Sequence, residues 1–518
     1  MLDLQELRHF ASIRDILTYS AAQYPTKKAF SDPVHTITYQ QLDQFSTQFA
    51  SYLLTTLGMS PGDRLAIQLP NIVHYPIALY GALKAGMIVV NTNPLYTSSE
   101  IVHQFTDAGV KTLVVLDQLL PTHQNIEGQT PVEHIISVNS SLLESTSPNA
   151  ESFAAALLAG VSPCTTLPTL HGKDIAFLQY TGGTTGPSKG AMLTHNNVLS
   201  NVLQTCTAIQ HTLVAGEETM VVPLPLYHIY ACALSSIIML YAGAHSILVP
   251  NPRDINAFIQ QIAVQPFTIF SGINTLFVAL CQHSDFRSLD FTSLKLTISG
   301  GTALTQTAAF AWESETGCKV CEAYGMTEAS PVITFNDPVD PRMGSIGKVL
   351  PDTQIRIVDE EGIDTREPGE LWIKGAQVMM GYWNKPEETA NTITVDGWLK
   401  TGDIVLQDDE GFIKIVDRKK DMVIVSGFNV YPTEIEDVIC QHDDVLECGV
   451  IGLPCDKTGE KVAAFIVKKN PTLSEQAIIE HCSMQLTNYK SPKVIKFIEE
   501  LPKTNVGKIL RRELRNYA

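Results

Sequence analysis

Short apolar runs alternate with longer amphipathic stretches through most of this chain, and the alternation sets the expected architecture. Residues 64–69, 87–90, 113–116 and 135–138 are dominated by Val, Leu and Ile, as strands buried on both faces require. Pro76 suits the first turn of a helix over 76–85, and Thr97-Ser98-Ser99-Glu100 is a capping box that opens the next helix. A second set follows, with strands expected at 175–179, 220–222, 267–270 and 296–299 and a helix over 274–281. The last of these strands runs into Gly300-Gly301 ahead of a helix starting near Leu304, and a glycine pair at a strand's carboxyl end suits a ligand face. Strands alternating with helices predict α/β layers on largely parallel sheets.

The texture changes twice. Between 139 and 173 the pattern weakens into Ser, Thr and Pro around one short apolar helix, read as a connection. Beyond Asp352, short strands at 354–358, 370–373 and 412–415 are separated by Glu361-Gly362, Pro368-Gly369 and Glu410-Gly411, the pattern of a small β-rich subdomain. After the charged stretch Asp417-Arg418-Lys419-Lys420-Asp421 comes a mixed α+β unit of about a hundred residues, the scale of a small domain. From Tyr230 to Val249 there is no Asp, Glu, Lys or Arg, which resembles a membrane span. Gly243, His245 and Pro250 break it, so a buried helix over 229–241 turning into a strand over 246–249 is expected instead.

Composition narrows the chemistry. The 518 residues exceed one core, and 44% hydrophobic content fits a folded multidomain chain. A net charge of −18 argues against a nucleic-acid partner and requires any polyanion site to concentrate its cations locally. The ten cysteines are scattered. Cys318 and Cys321 form a lone CxxC without a second pair at zinc spacing, and read as half-buried thiols flanking a strand. Reduced thiols and no signal-peptide core in residues 1–10 fit a cytoplasmic protein.

The densest candidate chemistry is Tyr180-Thr181-Gly182-Gly183-Thr184-Thr185-Gly186-Pro187-Ser188-Lys189-Gly190-Ala191-Met192, entered from the 175–179 strand. Glycines admit close approach of the backbone, while hydroxyls, amides and an ammonium bind phosphate oxygens. Pro187 and Ser188 separate Lys189 from Gly186, so this is not a Walker A loop.

Several stretches then occur in one order: 180–192, Tyr324-Gly325-Met326-Thr327-Glu328, Thr401-Gly402-Asp403, 417–436 and 502–512. In that order they resemble the adenylate-forming superfamily. Asn91-Thr92-Asn93-Pro94-Leu95-Tyr96-Thr97, Pro225-Leu226-Tyr227-His228-Ile229, 396–403 and Val425-Ser426-Gly427-Phe428-Asn429-Val430-Tyr431-Pro432 look most like its bacterial long-chain fatty-acid CoA ligases. The chain is shorter than those ligases between Leu119 and Ser152.

The resemblance implies a large N-terminal adenylation domain over 1–416, a hinge at 417–421 around Lys420, and a mobile C-terminal domain over 422–518. It implies ATP, Mg²⁺ and coenzyme A, with a fatty acid as the acid substrate. Thr181, Gly182, Gly183, Thr184, Thr185, Gly186 and Lys189 would clamp the β- and γ-phosphates, and Thr184 with Glu328 would hold Mg²⁺. Tyr324 would stack on adenine, with Gly300, Gly301, Gly325, Met326 and Thr327 around it. Asp403 would take the ribose hydroxyls and Arg418 the ribose or α-phosphate. Lys508 would bridge the acid's carboxylate and the α-phosphate during adenylation, although Lys503, Arg511, Arg512 and Arg515 also make it part of a basic tail. Ser426 and Gly427 would approach later and leave room for the pantetheine arm.

His228 would stand at the mouth of the acyl tunnel among Ile229, Ala231, Cys232, Leu234 and Val332. The implied function is ATP-dependent activation of long-chain acids to acyl-CoA in the cytoplasm, with peripheral contact at the inner membrane face an open option. Alternatives are a medium-chain or aryl acid CoA ligase, an adenylation enzyme that loads a carrier protein, and a non-enzymatic fatty-acid binding protein.

Overall fold

The computed structural model describes residues 2–139, 151–161, 166–181, 188–426, 428–455, 457–504 and 508–517. Four sheets organise them, with nine, seven, four and five strands. In the nine-stranded sheet, Met220, Val221 and Val222 of the strand Thr219–Val222 are all buried. Successive residues of a strand face opposite sides. Met220 and Val222 accordingly join the central core, whereas Val221 joins an outer cluster built around Trp312, Phe270 and Phe277. The seven-stranded sheet repeats this, with Leu65 and Ile67 turned to the central core and Ala66 to a cluster containing Phe105. The two large sheets therefore share one core and each carries a second apolar layer outside.

Most expected elements are present. Strands run over Arg64–Gln68, Val110–Leu116, His134–Val138 and Leu296–Gly300, and a helix runs over Asn274–Gln282. Thr97 and Glu100 form both hydrogen bonds of the capping box that opens the helix Ser98–Ala108. The strand expected at 267–270 runs over Ile269–Gly272, and Thr268 just before it already bonds through its backbone to Thr219 on one side and Leu296 on the other. The two large sheets are largely parallel, as expected: five of the six strand pairs in the seven-stranded sheet and five of the eight in the nine-stranded sheet are parallel. Antiparallel pairs close one end of the seven-stranded sheet and both ends of the nine-stranded one.

The uncharged stretch folds as a helix over Ile229–Ala233, a π-helical turn over Leu234–Ile238 and a last α-turn over Met239–Tyr241, followed by the strand His245–Leu248. Among the described residues no helix is long and apolar enough to cross a membrane. Cys318 and Cys321 are buried rather than half-buried, Cys321 inside the strand Val320–Gly325, and the nine described cysteines are free thiols.

The four-stranded antiparallel sheet contains Gln354–Val358, Gly369–Lys374, Leu399–Gln407 and Ile413–Arg418. From Arg418 the chain passes to Val423–Val425, the first strand of the five-stranded sheet, which has its own core around Val450, Ile466 and Ile478.

Candidate active site

His228 sits on a turn held from three directions. Asn71 donates to the Val222 and Leu224 carbonyls at 3.0 and 2.8 Å and accepts from Leu226 N at 2.8 Å. The Tyr75 hydroxyl donates to the Leu226 carbonyl at 2.7 Å, and Gln179 Nε2 donates to the Tyr227 carbonyl at 3.0 Å. Asn91 Nδ2 in turn donates to Gln179 Oε1 at 2.9 Å. These side chains are buried polar groups with partners, the arrangement that fixes a backbone. His228 then caps the helix Ile229–Ala233, its Nδ1 accepting from Tyr230 N at 3.4 Å, which leaves the proton of the neutral ring on Nε2. Burial, with Lys508 nearby, pushes its pKa down to about 4, so the ring is neutral at pH 7.

Two cavities meet at His228, Tyr230, Gly300 and Gly301. One has about 310 Å³ of empty volume and an apolar lining completed by Leu224, Pro225, Ala231 and Ile273. The other has about 370 Å³ and is completed by Tyr324, Gly325, Met326 and Thr327, with Ile229, Ala323, Pro331 and Val332. Of the expected tunnel residues, Cys232 and Leu234 line neither cavity. Both are buried in the central core, and the Tyr75 hydroxyl lies 3.6 Å from the Cys232 sulfur.

Tyr324 is the penultimate residue of the strand Val320–Gly325 and donates its hydroxyl to Asp403 Oδ2 at 2.5 Å. Asp403 pairs in register with Arg418 across two strands, and Arg418 Nε lies 3.5 Å from Asp403 Oδ1. Tyr324, Asp403 and Arg418 are thus one connected group at the edge of the second cavity. Burial first, then the Asp403 charge, raises the Tyr324 phenol well above its usual range and keeps it a donor.

Lys508 reaches the same place from the C-terminal unit. Its pKa is pushed down to about 7 by burial and by Arg418 and Lys420, against the opposing pull of Asp403 and Asp421. Ser426, in a left-handed turn with φ of 53°, is exposed and lines neither cavity. Lys508 lines neither cavity either, but it is mostly buried and lies within electrostatic reach of His228, Arg418 and Asp403, whereas Ser426 is exposed.

Lys189 belongs to a strand and not to a loop. The strands Ile175–Thr181 and Lys189–Thr194 form an antiparallel hairpin in which Thr181 pairs with Lys189. Gly182, Gly183, Thr184, Thr185 and Gly186 lie outside the described residues, as does Gly427. The Lys189 ammonium lies 3.0 Å from Glu388 and 4.6 Å from the centroid of the Tyr382 ring. The Tyr382 hydroxyl donates to the buried Glu328 carboxylate at 2.6 Å. Lys189, Tyr382 and Glu328 therefore form a chain beside the hairpin.

Tyr382 and Glu388 were not legible as site residues, since nothing in Gly381-Tyr382-Trp383-Asn384 marks a partner some fifty positions earlier. Among the described residues no group of three His, Cys, Asp or Glu is placed to hold a metal ion.

Residues 17–383 match the AMP-binding enzyme family, and residues 434–508 match the AMP-binding enzyme C-terminal domain. The chain belongs to the AMP-binding enzyme family. This AMP-binding enzyme is 44% identical to a long-chain-fatty-acid–CoA ligase of Escherichia coli O6:H1, over 98% of this chain and 95% of that one. It is 37% identical to a ligase of the same name from Bacillus subtilis, over 97% and 94% of the two chains. The structure of an anthranilate CoA ligase in complex with anthranoyl-AMP superposes with a TM-score of 0.90 at 28% identity, covering 100% of this chain and 99% of the other.

Proposed function

We propose that this AMP-binding enzyme activates long-chain fatty acids to acyl-CoA through an acyl-adenylate. The reading is carried by the convergence of Lys508, His228 and the Tyr324–Asp403–Arg418 group where an apolar cavity meets a polar-edged one. It is supported by the identity to curated ligases of that name.

In the first half-reaction a carboxylate oxygen of the acid bonds to the α-phosphorus of ATP, and the bond to the β-phosphate bridging oxygen breaks. Attack of an anion on a polyanion needs positioning and charge neutralisation more than a protein nucleophile. Lys508 supplies a positive charge to the α-phosphate and the carboxylate. Neutral His228 offers Nε2–H to the carboxylate as a hydrogen-bond donor. Asp403 exchanges the Tyr324 hydroxyl for ribose, and Arg418 remains beside the sugar and α-phosphate.

In the second half-reaction the CoA sulfur attacks the acyl carbon and AMP leaves with the bonding electrons. Residues 417–421 act as the hinge that withdraws Lys508 and presents the Ser426 turn. Residues 1–416 and 422–518 are the two bodies it joins.

Glu328 fits a hard cation. It is a buried carboxylate with one oxygen held by Tyr382, and magnesium is bound by few protein oxygens together with waters and substrate phosphates. Glu328 and Thr184 would hold Mg²⁺, which supplies charge neutralisation to the phosphates. Replacing Tyr382 with Phe removes a hydrogen bond to a charged acceptor, worth about 1.5–3 kcal/mol. We expect the Mg²⁺ concentration for half-maximal ATP–pyrophosphate exchange to rise about tenfold or more. An unchanged requirement would show that Tyr382 does not orient Glu328.

Incubation with ATP, Mg²⁺, CoA and acids of graded length tests the function. Palmitate or oleate should give acyl-CoA, AMP and pyrophosphate in equal amounts, faster than octanoate or benzoate. Thioester formed only from benzoates would replace this reading with the aryl one, and AMP release indifferent to CoA would favour carrier loading. A cytoplasmic enzyme that collects its substrate at the inner membrane face follows from the same proposal.

A further inference from the structure

Arg511 opens the helix Arg511–Leu514, three residues beyond Lys508, and it is not part of a loose basic tail. Its guanidinium is sequestered among three carboxylates. Nη2 lies 2.7 Å from Glu436 Oε2 and Nε 3.2 Å from Glu436 Oε1, a two-pronged contact. Nη1 lies 3.0 Å from Asp421 Oδ2 and 3.5 Å from Asp417 Oδ1.

Asp417 differs from the other two acids. Its side chain is 1% exposed, and it belongs to the strand Ile413–Arg418, ahead of Lys420. The next residue on that strand is Arg418, paired with Asp403. Asp421 and Glu436 lie beyond Lys420, on the same side as Arg511. Asp417 Oδ2 also accepts from Thr433 N at 2.8 Å, at the start of the helix Pro432–Cys440. One buried carboxylate on the nucleotide side of Lys420 is thus gripped by two groups from the far side. Rotation of the chain between Arg418 and Val423 has to strain or break that grip.

We propose that Arg511 is a positioning residue: its clasp on Asp417 holds Lys508 over the site for adenylation, and is released when the C-terminal unit turns for thioester formation. The proposal rests on the reading that Lys508 serves the first half-reaction. The clasp explains why a carboxylate stands at Asp417 beside three consecutive cations at 418–420, and why Arg511 follows Lys508 at so short a spacing. Lys508 leaves a segment whose far end is pinned at Arg511. The Lys508 backbone is held on its near side by Thr504, which accepts from Lys508 N at 3.1 Å and donates to its carbonyl at 2.8 Å.

The test separates the half-reactions in the full-length protein. ATP–pyrophosphate exchange reports adenylation, and thioester formed from synthetic palmitoyl-adenylate and CoA reports the second step. Asp417→Asn keeps an acceptor for Thr433 N but removes the charge facing Arg511. Arg511→Lys keeps a charge in the cluster but loses the fork, and serves as the second variant should Asp417→Asn not fold.

We expect exchange to fall at least tenfold in both, with thioester formation from the supplied adenylate within twofold of the parent. Equal losses in both steps would reduce the clasp to a structural contact and overturn the proposal. Exchange kept by both variants but lost in Lys508→Ala would overturn the clasp alone. Exchange kept by Lys508→Ala would overturn the reading beneath it, and the clasp's role with it.

Discussion

Replacing Lys508 with Ala should lower ATP–pyrophosphate exchange by about 10²–10³-fold, the loss typical of a preorganised charge aimed at a transition state. Thioester formation from a supplied acyl-adenylate should be largely kept, because the proposed hinge motion withdraws Lys508 in that step. A variant that retained full exchange would refute the assignment.

A protonation signature belongs to the same residue. Its pKa is depressed to about 7 by burial and by Arg418 and Lys420, so the empty closed form binds fewer protons than an open form with the ammonium in water. Raising the pH from about 7 to about 10 therefore favours closure on an empty site. If Lys508 faces the α-phosphate as proposed, ATP should reverse the sign, because its phosphates would restore the ammonium. Nucleotide binding at pH 8 should take up close to one proton, read by calorimetry in two buffers of different ionisation enthalpy, and Lys508→Ala should abolish the uptake.

Gly325→Ala should cost more and discriminate less. A Cβ there would lie 2.1 Å from the Pro331 carbonyl oxygen and 2.8 Å from its carbon, and backbone cannot move aside as a side-chain tip can. That carbonyl accepts from Met326 N at 2.9 Å, and Gly325 pairs in register with Val332. The methyl therefore wedges apart two strands that carry Tyr324 on one side and lead into Glu328 on the other. Overpacking in a tight interior costs about 1–3 kcal/mol, and a backbone collision belongs at the upper end of that range. We expect both half-reactions to fall and the unfolding midpoint to drop. Normal exchange in this variant would mean that the Gly325–Pro331 contact opens without cost.

What the sequence disclosed follows from the range of each interaction. The capping box at Thr97 and Glu100 is complete within four positions, so its text is sufficient. Interior strands such as Arg64–Gln68 announce themselves by apolar runs. The strand Lys189–Thr194 was hidden because the turn-forming residues before it suggest that the loop continues, while its pairing with Ile175–Thr181 is decided by the sheet. Tyr382 and Arg511 acquire their roles from carboxylates 54 and 94 positions away, Glu328 and Asp417. Arg511 left one trace: Asp417 and Asp421 bracket three cations, and acids so placed have other partners to find.

The turn bearing His228 leaves the nine-stranded sheet after Val222 and is bolted by buried hydrogen bonds to Gln179 of the seven-stranded sheet and to Asn71 and Tyr75 around the start of the helix His74–Lys84. Ala231 and Ile273, which line the apolar cavity with His228, carry hydrocarbon side chains. If the cavity takes the acid as proposed, the carboxylate end and the tail end rest on separable materials. Redesign of acyl preference can begin at Ala231 and Ile273, where a change in side-chain volume alters the room for the tail and leaves the bolted end in register with the nucleotide.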